Sequence, residues 1–502
     1  MASTHPLEIP EILLCITRYV PTKSLPACAR VSKAWYQTFM PAIWKEINPH
    51  DYDLGASIAL QSHRDLVKSL VLFDPTQGPE SFTFPNLHSL FVTGTAAQTA
   101  TKMILEHNTI SCLIFLDSQP PPGLWAKLLE FPNLNRLDLY QVNIDANDTD
   151  AFWQLCTHLE KLRVHDTDIV DRSQLSSMEF PRLKELDILQ YHRRSGFSIA
   201  FMDFMSRCPS LTSCKWANSP VDDELFMPKF LELLDEKTWP DLHSLRILEH
   251  TISQDDLSRI LIGMPAITSL DIPFSPDNFK SNMMDLLRPR FSRLAVLHLR
   301  SIDHRVMCPM AQEFLSSCPL LESFQATRID AALVAEGKPW VCLGLKDLNL
   351  RVVFDPSTIH HVQPRVLDQL SRLTRLQRMS LWTDRRTVDM PVARFQETVD
   401  MRLENGLGKL STMRALQSLD FEFSEQRMEN QEIDWILEHW RCLEWVHGIL
   451  NKQDPEVDRT LRKRLRSHGM MAIADLGIVE ESSEEEFSED EFFEEETYES
   501  SL

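Results

Sequence analysis

The chain has 502 residues, a formal charge of −22, 43% hydrophobic residues and 25% charged ones. It is globular in composition and too long for one ordinary compact core. Twelve acids and no Lys or Arg lie beyond Val479, which leaves −10 for the other 479 residues. So mild an acidity, with no basic excess, speaks against nucleic acid as a partner, because general binding to it needs Lys and Arg to displace counterions.

No apolar run approaches the ~20 residues of a membrane span. The opening "MASTHPLEIPEILLCI" has no basic start, and Glu8, Pro10 and Glu11 interrupt it, so it is not expected to be a signal peptide. Ten cysteines with no C-x-x-C pair are expected to be reduced thiols. The expected compartment is cytoplasm, nucleus or both, and no membrane partner is expected.

Residues 6–47 read as three short helical patterns, "PEILLCITRYV", "KSLPACARVSKAWYQTFM" and "PAIWKEI". Ile12, Ile16 and Tyr19 share one helical face in the first, and Cys28, Val31 and Trp35 share one in the second. About forty residues are too few for a self-sufficient core, so such a unit needs a partner for its apolar faces.

From residue 67 the chain repeats itself. "FPNLHSLFV" (84–92), "FPNLNRLDL" (131–139), "FPRLKELDI" (180–188) and "WPDLHSLRI" (239–247) share Pro-x-Leu-x-x-Leu-x-apolar. Numbered by the first Leu-type residue, the copies start at Val67, Leu87, Ile110, Leu134, Leu159, Leu183, Leu211, Leu242, Ile267, Leu294, Leu321, Leu345, Leu376, Leu416 and Leu443. Most spacings lie in or just above the ~20–29 residues of a leucine-rich repeat. Apolar residues two apart share one face of a short strand. The intervening "DAFWQLCTH" (150–158), "FMDFMSRC" (201–208) and "AQEFLSSC" (311–318) carry apolar residues three and four apart, as helices do. A strand-plus-helix unit cannot cover its own apolar face, so neighbours stack. The fold class is therefore α/β, a curved solenoid with parallel strands inside and helices outside. Cys156, Cys208 and Cys318 before the turns read as small buried residues at helix ends rather than metal ligands.

The forty-residue spacing from Leu376 to Leu416 predicts one longer helix after a polar loop within "DRRTVDMPVARFQETVDMRLENGLGKL". Trp435, Trp440 and Trp445 in "DWILEHWRCLEWVHGI" are expected to cap the last repeat. Beyond it "PEVDRTLRKRLRSHG" predicts a basic helix with Arg459, Arg462, Lys463 and Arg466 on one side. The tail 479–502 is a block of like charge, expected to be disordered and to hover over that helix. The expected organisation is 1–50, a repeat array at 51–450, a basic helix at 451–478 and the tail at 479–502.

The N-terminal segment resembles an F-box, through Pro10, Glu11, Ile12, Ile16, Tyr19 and Val20, then Leu25, Cys28, Val31, Ser32, Trp35 and Tyr36, then Pro41 and Trp44. It departs from the family's opening Leu-Pro-x-Glu, because Pro10 abuts Glu11, leaving Leu7 or Ile9 for the leading Leu. Together with the repeats, the resemblance is to F-box proteins with leucine-rich repeats of the cysteine-containing type. It implies a substrate receptor of an SCF-type ubiquitin ligase, docked on a Skp-type adaptor and through it on a cullin. The implied adaptor-binding residues are Pro10, Ile12, Ile16, Val31 and Trp35, while Trp44 is expected to seal the F-box against the first repeat. The alternative is a non-catalytic repeat scaffold whose N-terminal helices only cap the array. No phosphate loop, H-E-x-x-H, G-x-S-x-G or dinucleotide fingerprint occurs, so no enzyme, cofactor or metal is expected.

In L-x-x-L-x-L-x the third, fifth and seventh positions point to the concave side. From the seventh repeat on they include Lys215, Arg246, His298, Arg300, Arg351, Arg378 and Trp382, while acids at equivalent places are fewer, Asp271 and Asp347 until Asp420 and Glu422. This row predicts a protein substrate with an acidic or phosphorylated segment, since Arg pairs with such groups in a bidentate way.

Overall fold

The computed structural model describes residues 7, 9–17, 20, 24–48, 57–72, 83–169, 178–190, 197–218, 226–248, 252–274, 283–301, 304–355, 357–381, 399–421, 424 and 426–473. The chain forms two compact units, 1–329 with 338–345, and 330–337 with 346–502.

The first unit opens with helices α1 (Pro10–Thr17), α2 (Leu25–Ala29) and α3 (Lys33–Ile43). Two expectations are corrected here. The second helical pattern breaks at Ser32, whose hydroxyl accepts the Trp35 N–H and caps α3. No third short helix follows. Pro41–Ile43 end α3, and Glu46–Ile47 is already a strand. Leu13, Leu25, Ala29 and Phe39 make the small buried core.

That strand is the first rung of a parallel sheet. Ile47 pairs in register with Leu70, and ten more strands follow, the last at Ser323–Asp330. Side chains alternate along each strand, so Leu70, Leu90, Leu113, Leu137, Leu162 and Leu186 fall on one buried column. All fifteen leading residues, Val67 to Leu443, are buried. Burying each such side chain is worth ~1.5–3 kcal/mol, which is why the period holds while other positions drift. Just before each strand from His88 to Glu322, a backbone N–H donates to the matching carbonyl one repeat earlier, at 2.7–3.0 Å. Helices such as Ala146–Cys156 and Phe197–Ser206 lie outside the sheet, with Phe152, Trp153, Phe201 and Phe204 turned inward. Cys156, Cys208 and Cys318 are wholly buried. Burial pushes their thiols up, that of Cys318 to about 12, so they stay protonated.

The second unit continues the pattern with parallel strands at Asp347–Val353, Arg378–Ser380, Ser418–Asp420, Trp445–His447 and Met471–Ile473. Within the long spacing, 399–412 carries two 3-10 turns, Leu403–Asn405 and Leu407–Thr412, rather than the end of a long helix. Gly406 joins them at φ 104, a left-handed backbone that suits a residue without Cβ. The rest of the expected helix, up to 398, lies outside the described residues.

The array does not close at residues 434–449. Helix Pro455–Ser467 and strand Met471–Ile473 add one more repeat. Of the three tryptophans, Trp440 is buried and donates Nε1–H to the Leu410 carbonyl at 3.2 Å. Trp435 packs edge-on against Trp440, whereas Trp445 is exposed and pairs in register with Met471.

The basic face expected on Pro455–Ser467 is also corrected. Arg462 is buried against Asp458, with Nε–H donating to Oδ2 at 2.7 Å. Asp458 Oδ1 accepts the Leu450 and Asn451 N–H groups at 2.7 and 3.1 Å. Arg459 pairs with Glu456, Arg464 with Asp434, and Arg466 donates twice to the Ala472 carbonyl. Lys463 stays exposed, and the tail lies outside the described residues.

Candidate functional site

Fifteen large apolar side chains stand exposed among the described residues, and five of them, Leu7, Ile12, Leu14, Val31 and Tyr36, fall within the N-terminal helical segment, on its helices or the stretches that flank them. That concentration follows from size, because four core residues cannot cover three helices. Val31, in the turn before Ser32, is 64% exposed and Leu14 53%. Pro10 and Ile12 are exposed as well.

Ile16 and Trp35 differ from the other residues expected to bind an adaptor. Both are partly buried and pack against the core. The Trp35 ring stacks on Phe39 with centroids 5.1 Å apart, and its Nε1–H donates to the Leu7 carbonyl at 3.1 Å. Trp35 thus ties the start of the chain to α3. Trp44 lies at the far end, its ring 4.8 Å from that of His63 in the helix preceding the second strand. Trp44 also sits three residues before Ile47, the spacing that leading residues keep throughout the repeats. The N-terminal helices therefore run into the sheet with no linker.

The second surface is the face of the sheet opposite its buried leucines. Its central column is the fifth repeat position, which reads Val71, Phe91, Ile114, Asp138, Arg163, Asp187, Lys215, Arg246, Asp271, His298 and Gln325 on successive strands in register. The column is apolar over its first three rungs and charged over the next six, from Asp138 to Asp271, before it ends in His298 and Gln325. Three expected substrate residues, Lys215, Arg246 and His298, come together here and line a groove of about 220 Å³. Arg300 lies on the strand Val296–Ser301, but its side chain is outside the described residues, as is Trp382. Arg351 and Arg378 belong to the second unit.

The expected basic row is corrected by its acids. Asp138 and Asp271 are almost wholly buried beneath the cations. Arg136 forks onto Asp138, with Nη2 2.6 Å from Oδ2, and this hydrogen bond holds its guanidinium proton more tightly than usual. Arg163 lies 3.6 Å from Asp138 and 3.8 Å from Asp187. Asp187 takes His165 Nε2 at 3.1 Å and Lys215 Nζ at 3.2 Å. Asp271 Oδ2 lies 2.5 Å from Arg246 Nε in an ion pair and meets His298 Nδ1 at 3.0 Å. In the second unit, Arg378 Nε is 2.6 Å from Asp347. Burial would raise the Asp187 carboxyl, but His165 and Lys215 outweigh it and hold that group below the ordinary range. The surface is a zip of opposite charges, not a basic strip. Asp138, Arg163 and Asp187 were missed because the basic row was counted from the seventh repeat on.

The fold and its two open surfaces define an F-box-like helical module continued without a break by leucine-rich repeats. Residues 10–50 match the F-box-like family. No curated protein matches the sequence. Among solved structures, the Rad7–Elc1 complex of yeast aligns over 93% of each chain at 12% identity and a TM-score of 0.40. The TLR13–ssRNA13 complex aligns over 82% of this chain and 62% of its own, at 13% identity and 0.31. An internalin (inlF) from Listeria monocytogenes aligns over 83% and 89%, at 13% identity and 0.25.

Proposed function

We propose that this chain is the substrate-recognition subunit of an SCF-type ubiquitin ligase, non-catalytic itself. The F-box-like module docks a Skp-type adaptor and, through it, a cullin. The repeat face receives a protein substrate in the cytoplasm or nucleus. The observation that carries this reading is the cluster of exposed apolar side chains on a module matching the F-box-like family over residues 10–50. A module whose only task was to cap the sheet would turn such side chains toward the sheet, yet Leu14 and Val31 face solvent. Exposed apolar groups gathered in this way mark a protein interface.

The test is co-purification of the full-length chain with a Skp-type adaptor and a cullin, beside a Val31→Asp variant. Both partners should appear with the parent chain and be lost from the variant. A chain that captures neither is a scaffold with a helical cap.

A further inference from the structure

The fifth-position column has one irregularity. From Asp138 to Asp271 it reads acid, base, acid, base, base, acid, and the two adjacent bases are Lys215 and Arg246. They are direct register partners on neighbouring strands, ~4.8 Å apart. Like charges placed opposite each other across a sheet are unfavourable. Each leans on its own outer acid, Lys215 on Asp187 at 3.2 Å and Arg246 on Asp271 at 2.5 Å. The alternation lacks one negative charge here, and Lys215 and Arg246 both line the 220 Å³ groove. Ser213 and Ser244, also register partners, line it too and add two hydroxyls beside the gap.

We propose that the Lys215–Arg246 break binds a carboxylate side chain of an acidic peptide segment, which completes the alternation of charge. This rests on the reading that the repeat face receives the protein substrate. The charge count favours a carboxylate over a phosphate. The break offers two positive charges already flanked by Asp187 and Asp271, so one added negative charge fits. A phosphate, at −1.5 to −2, would crowd those two carboxylates. Arginine suits the role because its guanidinium holds five N–H donors in a fixed fork, and its contact with Asp271 is an ion pair at Nε. The neighbouring rungs are closed by comparison, since Arg163 lies between Asp138 and Asp187.

The experiment uses the full-length chain and three fluorescein-labelled decapeptides: one of alternating Glu and Gly, one of Ser and Gly, and one of phosphoserine and Gly. Binding is read by anisotropy at low salt. The Glu peptide should bind more tightly than the other two. Lys215→Gln and Arg246→Gln should each weaken it about tenfold, Lys215→Arg should keep it, and Arg163→Gln should change it less than threefold. Three results would each overturn the proposal: no preference for the Glu peptide, tighter binding of the phosphoserine peptide, or an equal loss in Arg163→Gln. Melting temperatures of the variants show whether the fold is kept, and Lys215→Arg separates loss of charge from loss of packing. Adaptor capture, measured on the same variants, should not change. Its failure in the parent chain bears on the ligase reading and not on the groove.

Discussion

Val31 and Leu14 offer a clean perturbation of the proposed adaptor surface, because neither belongs to the core of the N-terminal helices. Full burial of an aliphatic side chain is worth ~1.5–3 kcal/mol. Val31 has 64% of its surface still to bury and Leu14 53%. Scaled by those fractions, a covering partner would gain ~1–2 kcal/mol from the first and ~1–1.5 kcal/mol from the second, or ~2–3 kcal/mol together. At ~1.4 kcal/mol per factor of ten, the Val31→Ser/Leu14→Ser chain should bind the adaptor about 30- to 150-fold more weakly. Exposed positions cost little in folding, so its melting temperature should stay near the parent's. Titration calorimetry with purified adaptor and a thermal melt measure the two halves. An affinity within threefold of the parent's would refute the assignment of this face. Trp35→Ala tests it less well, because Trp35 stacks on Phe39 and its loss mixes folding with binding.

Asp458→Ala should cost ~3–5 kcal/mol, since it strands the buried Arg462 and removes the acceptor of two backbone N–H groups. Hydrogen exchange should show Pro455–Ile473 opening first, and Asp458→Ala/Arg462→Met should recover much of the loss. Arg466→Ala frees the Ala472 carbonyl on the last described strand, so sedimentation should detect concentration-dependent self-association. Because the Asp187 carboxyl is held low, its contribution to stability is present above the unfolded value of ~3.9 and fades as pH falls through the folded one. The urea midpoint of the parent should therefore exceed that of Asp187→Asn at pH 6, and the gap should narrow below about pH 4.

The leading apolar residues were legible because each must be buried, and all fifteen are. The last repeat was not, because Gly469 stands where a leading Leu is expected and Ala472 where the next apolar residue falls. Its helix looked like a solvated basic surface for a related reason. A residue count cannot show that Arg462 points inward onto Asp458. The groove was half legible. Lys215, Arg246 and His298 were found from strand alternation, but the meaning of their charge depends on neighbours 25 to 31 residues away in sequence. Only the register sets Asp187 beside Lys215 and Asp271 beside Arg246. The break at Ser32 was written in the sequence as a capping residue, but a continuous apolar face running past it hid the signal.

The missing linker after Trp44 makes the first unit a ruler. The strand Glu46–Ile47 is the first graduation, and the strand of Lys215 is seven steps along the same sheet. At ~4.8 Å per step, a ligand held at Lys215 lies roughly 34 Å along the strand row from the N-terminal helices. Deleting one whole repeat between residues 67 and 183 would leave both surfaces chemically unchanged while moving one mark closer to the other. Where such a deletion abolished modification of a bound protein but not its capture, distance itself would be the property the repeats encode.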